Sequence, residues 1–203
     1  MVARLEQKLE MREGLPYTLQ AMRRFPSRKP GVSLPKLILA AGAGLYFLWW
    51  SRDPSQGQFL DMVNILVHEA GHTVFRPFGE YLCAAGGSML QVIMPAAFVV
   101  HFFRRKDPYE AGMVLLWVGQ SALNVSVYSA DAVKMELPLL GGDAVTHDWN
   151  YLLEEAGLLK ETWLVAGLIR LSGTLAILAG MVIALTYAVK KPSDGVNLPG
   201  GIV

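Results

Sequence analysis

The chain has 203 residues, of which 53% are hydrophobic and only 17% charged, with a formal net charge of +1. Soluble domains carry roughly a quarter charged residues, and here long stretches with almost no charge separate charged ones, so part of the chain is expected to meet lipid. A near-neutral balance offers nucleic acid nothing to bind, and a single cysteine, Cys83, excludes an internal disulfide and a thiolate zinc cluster.

Residues 1–33 read as a basic amphipathic segment and linker. Val2, Leu5 and Leu9 stand at helical spacing among charges, as in a helix lying at a membrane interface. Pro16, Pro26, Pro30, Gly31 and Pro35 then break any regular element. Charge precedes the first apolar run too strongly for a secretory signal.

Five apolar segments make up a helical domain over residues 34–190. Leu37–Trp50 ends in the aromatic pair Trp49 and Trp50, a membrane-boundary signature. Phe59–Phe75 follows, then Ala84–Phe103, which stops at Arg104, Arg105 and Lys106. Ala111–Ala130 runs to Asp131, and Thr162–Val189 carries only Arg170 as a charge. A span needs about 20 apolar residues, so the last three are long enough and the first two short. The expected fold is an all-α polytopic membrane protein with four to six transmembrane helices. The glycine-containing stretch Phe78–Gly87 suggests a small re-entrant hairpin. Basic flanks favour the cytoplasmic side, but three full crossings before Arg104 break that parity, so either one of those segments does not cross or the rule fails once. This places the protein in a cell (inner) membrane with its basic N-terminus in the cytoplasm. Between the last two segments, residues 148–157 read as a short helix capped near Thr146 or Asp148 and ended by Gly157. Residues 191–203 read as a flexible tail.

The second apolar segment contains His68-Glu69-Ala70-Gly71-His72. On a helix, residues four apart share a face, so two imidazoles can meet one metal ion. Glu69 then lies beside the metal, placed to act as general base and acid. Three ionisable residues within an apolar helix are costly in lipid unless metal-bound, paired or hydrated. Catalytic zinc takes three protein ligands, so a third must come from elsewhere. Asp131 is the first choice, because Gln120, Asn124, Tyr128 and Asp131 form one polar stripe expected to face the bundle interior. Asp143, His147 and Asp148 are the alternatives. Asp143 has an ordinary reading as a turn residue, and Asp148 as a helix cap.

These residues resemble the site-2 protease family of intramembrane zinc metalloproteases. The family carries a His-Glu-x-x-His helix within the membrane, a third aspartate ligand from a later membrane segment, and an asparagine before it that holds the substrate strand. The resemblance implies Zn2+ as cofactor, Asn124 as the substrate-binding residue, and membrane-embedded or membrane-proximal proteins or peptides as substrates. The family's Leu-Asp-Gly motif is missing; Asn124 is followed instead by Asp131 and, separately, by Leu137-Pro138-Leu139-Leu140-Gly141-Gly142-Asp143. Two rival readings are a non-proteolytic membrane metal-binding or regulatory protein and a metal or proton transporter.

Overall fold

The structure is a computed structural model describing residues 32–138 and 146–189. The expected N-terminal amphipathic helix and most of its linker, the Gly141-Gly142 turn, Asp143 and the tail lie outside those residues. Among the described residues six α-helices follow one another: α1 (Leu34–Trp50), α2 (Phe59–Phe75), α3 (Glu80–Arg104), α4 (Pro108–Ala130), α5 (Asp148–Glu155) and α6 (Thr162–Val189). Short 3-10 turns, Arg76–Phe78 and Leu159–Glu161, lead into α3 and α6. No strand occurs among the described residues.

The termini follow local chemistry. Pro108 opens α4, where its missing N–H is not needed. The Asp61 carboxylate accepts from the Gln58 backbone N–H at 2.8 Å, the reciprocal half of a capping box at the start of α2. Gly157, at φ +68°, takes the left-handed conformation just past α5.

Three helices, α3, α4 and α6, are long and apolar enough to cross a membrane. With 25, 23 and 28 residues and a rise of about 1.5 Å each, they exceed the roughly 30 Å hydrocarbon thickness. The outer face of α6 exposes Leu164, Leu168, Leu171, Leu175, Leu178 and Val182, a surface suited to lipid.

Glycines set the helix contacts. α4 packs most extensively on α6, with Gly112 and Gly119 opposing Gly180 and Gly173. A Cβ at Gly119 would lie 2.6 Å from the Gly173 carbonyl oxygen, and one at Gly180 2.7 Å from that of Gly112. Small residues at such contacts let two backbones approach closely.

The stretch Phe78–Gly87 is not a re-entrant hairpin: α3 runs unbroken from Glu80. Gly86 and Gly87 serve a helix crossing. A Cβ at Gly71 of α2 would lie 2.2 Å from the Gly86 carbonyl oxygen.

The bundle has two distinct ends. At one, the Ser33 N–H donates to the Ala188 carbonyl at 3.0 Å, and Lys36 pairs with Glu110 at 3.0 Å. The tight link from α3 to α4 brings Arg104, Arg105 and Lys106 to this same end. At the other, Arg170 donates to the Ser51 and Arg52 carbonyls at 2.8 and 2.7 Å, closing the end of α1. α2 starts after the end of α1, where Asp61 and Asn64 meet Gln120 and Trp117 in the middle of α4, and leads directly into α3.

Candidate metal centre

His68 and His72 lie on the face of α2 turned towards α3 and α4. Their Nε2 atoms stand 3.2 and 3.3 Å from one oxygen, Oδ2 of Asp148. The three side chains are largely enclosed, 12%, 21% and 15% exposed. Their candidate ligand atoms all lie within 4.8 Å of one another.

Each imidazole is braced from behind by α3. His72 Nδ1 lies 2.8 Å from the Cys83 carbonyl oxygen, an acceptor only, so this nitrogen carries the proton. His68 Nδ1 lies 3.2 Å from Gln91 Oε1. Gly87 gives the His68 ring its space, since a Cβ there would lie 2.5 Å from Nε2. Tyr128 completes the wall: its hydroxyl donates to Asp148 Oδ2 at 3.2 Å, and its ring packs edge-on against His68. Burial raises the Asp148 carboxyl, but hydrogen bonds from His68 and His72 outweigh it and hold the group at about 2. The carboxylate is therefore ionised across the working pH range.

Two imidazoles and one carboxylate on a shared focus form a donor set known from catalytic zinc. The hydrogen-bonded Nδ1 positions match the bracing that metal-bound histidines ordinarily receive.

Asp131, the sequence's first choice, does not join this group. It ends α4 with its carboxylate accepting from the Glu136 and Leu137 backbone N–H groups at 3.0 and 2.9 Å, and it faces His147 Nε2 at 3.3 Å. His147 is buried as the N-cap of α5, its Nδ1 accepting from Asn150 N. Because His147 takes the cap, Asp148 is released from that role and turns to the histidines. The Cys83 thiol points at the His72 carbonyl oxygen, 3.4 Å away.

Asn124, expected to grip a substrate strand, has both ends of its amide engaged. Its Oδ1 accepts from Gln91 Nε2 at 2.7 Å, and its Nδ2 donates to Asp61 Oδ1 at 3.2 Å. The stripe expectation otherwise describes the geometry: Gln120, Asn124 and Tyr128 point inward to Asp61, Gln91 and Asp148. Glu69 is exposed, its charge bears on His72 and Tyr128, and no hydrogen bond or ion pair ties it to the described residues.

Sequence reasoning passed over Asp61, Asn64 and Gln91, and read Gly87 as part of a hairpin. A signal existed for the first two: with His68 and His72 they fall at i, i+3, i+7 and i+11, one polar face of α2. Gln91 is a polar residue deep in an apolar run, which marks an inward-facing site in a membrane helix.

Comparison with protein-family models, with curated proteins and with solved structures gives no significant match.

Proposed function

We propose that this chain is a membrane-embedded zinc-dependent peptidase, similar to the site-2 proteases, that cleaves membrane-embedded or membrane-proximal peptides. One observation carries the reading: the His-Glu-x-x-His helix presents both imidazoles to a single carboxylate, Asp148, while Glu69 beside them is unpartnered. His68, His72 and Asp148 would hold the ion. Zinc bound there supplies Lewis acidity towards the scissile carbonyl and the attacking water. Glu69 takes the proton of that water and delivers it to the leaving amine. The α3 brace orients the two imidazoles, and Tyr128 keeps the Asp148 carboxylate turned to them.

In this reading α1, α3, α4 and α6 cross the bilayer and α2 does not, which resolves the parity conflict of the basic flanks. Lys36, Arg104, Arg105 and Lys106 then share the cytoplasmic side of a cell membrane, and the metal group lies nearer the opposite one.

The decisive experiment is Glu69→Gln, assayed on a labelled transmembrane peptide in detergent micelles. Cleavage is expected to fall at least a hundredfold while bound zinc stays at one per chain. Unchanged cleavage sinks the peptidase reading, and a zinc-free wild-type protein sinks the metal reading.

A second reading, metal or proton transport, draws on the hydrogen-bonded path from Asp61 through Asn124 and Gln91 to His68 and Asp148. Carboxamides, which do not titrate, form the middle of that path, so it suits orientation better than proton conduction. Zinc or proton flux into proteoliposomes, undiminished by Glu69→Gln, would favour this reading instead.

A further inference from the structure

The polar side chains beneath His68 form a chain whose direction is dictated at both ends. At one end stands Trp117, which can only donate; its Nε1 lies 3.0 Å from Asn64 Oδ1. Asn64 must therefore present Nδ2 to Gln120 Oε1, at 2.8 Å. Gln120 in turn presents Nε2 to Asp61 Oδ1, at 2.7 Å. Asp61 accepts at both oxygens, from Gln120 and Asn124 on one and from the Gln58 N–H on the other. It is thus an acceptor-only terminus.

From Asp61 the sense propagates upward. Asn124 spends its NH2 group on Asp61, leaving Oδ1 to accept from Gln91 Nε2. Gln91 Nε2 is further held by the Ser121 carbonyl at 3.4 Å. Gln91 Oε1 is then the atom facing His68 Nδ1. Gln91, Asn64 and Gln120 are 3%, 1% and 0% exposed, so no solvent competes for these groups. Flipping any amide would set donor against donor or acceptor against acceptor in a buried site, which costs far more than the bond it replaces.

We infer that Gln91, its carboxamide locked in one sense by Asn124 and Asp61, is a positioning residue that keeps the His68 proton on Nδ1 and leaves Nε2 facing Asp148. As it concerns the metal, this rests on the function proposed above; in the metal-free protein the Asp148 carboxylate, 3.2 Å from Nε2, competes with Gln91 for the His68 proton, so the preference is read with Asp148 neutralised. The same device operates on His72 through the Cys83 carbonyl, so α3 assigns both tautomers.

The test has two arms. In the first, the metal-free protein carries the isosteric Asp148→Asn change, which removes the competing carboxylate, and its histidines are labelled with nitrogen-15. At alkaline pH, where the ring holds one proton, His68 is expected to be protonated at Nδ1. Adding Gln91→Leu moves that proton to Nε2. A proton already on Nε2 before Gln91 is changed, or one indifferent to Gln91→Leu, overturns the inference. In the second arm, zinc is titrated into otherwise unaltered protein against a competing chelator. Gln91→Leu is expected to weaken zinc about 10–100-fold, and Asp61→Leu to act in the same direction to a smaller degree. Equal affinities throughout overturn the inference. A His68 tautomer that follows Gln91 in a protein binding no zinc upholds the inference and removes the metal reading alone.

Discussion

Replacing Asp148 with alanine is expected to strip the protein of zinc, while Asp131→Ala leaves one zinc per chain. In the first variant only two imidazoles remain, and the charge that neutralises the ion is gone. The affinity loss should exceed the 10–100-fold usual for a residue that merely braces a ligand. Asp131 does other work. Its carboxylate accepts two backbone N–H groups beyond α4 and faces the buried His147. Removing it leaves those donors without partners at about 1–3 kcal/mol each, so the expected result is lower stability with retained metal. Zinc measured by atomic absorption after dialysis, alongside thermal unfolding in detergent, separates the two. Zinc retained in Asp148→Ala and lost in Asp131→Ala would reverse the ligand assignment.

Gly71→Ala should be among the most damaging single-methyl changes in the chain. The added carbon would sit 2.2 Å from the Gly86 carbonyl oxygen and 2.8 Å from the Gly87 Cα. Both are backbone atoms, so neither can rotate aside, and α2 must lift from α3. Overpacking commonly costs 1–3 kcal/mol, and a rigid obstacle places this case at about 3 kcal/mol or above. For a chain of this size that lowers the midpoint by about 6–12 °C. Because His68 and His72 flank Gly71, zinc affinity should fall as well. Gly42 is the control: nothing stands within 4 Å of a Cβ there, and alanine in that helix interior should be neutral or stabilising by up to about 1 kcal/mol. Equal unfolding midpoints for the two variants would disprove the crossing contact.

The helices were largely legible in the residues. Phe59–Phe75 and Thr162–Val189 appear with the expected bounds, because uncharged apolar runs ending at charges or turn residues leave few alternatives. The inward polar stripe on α4 was legible for the same reason of periodicity. What failed were choices between two uses of one residue type. Gly86 and Gly87 suit a turn and a helix crossing equally, and only the presence of Gly71 opposite decides for the crossing. Asp148 suits a helix cap, and it is free for His68 only because His147 caps instead. That pairing joins residues 80 positions apart, a distance no local pattern encodes.

The glycine contacts also determine how closely the helices that carry the site approach one another. α4 meets α6, and α2 meets α3, through glycines that bring the backbones together, with Ile177 and Phe75 among the side chains packed at the two crossings. Asp148 is tied to α4 through Tyr128, its neighbour Trp149 donates to Ser88 of α3 at 3.0 Å, and Asn150 donates to the Ala132 carbonyl at 2.8 Å, whereas His68 and His72 ride on α2. Amide and carboxylate hydrogen bonds link α2 and α3 to α4. The three candidate ligands thus come from two helices, α2 and α5, and the spacing of the donor set is a gauge of how far those helices stand apart.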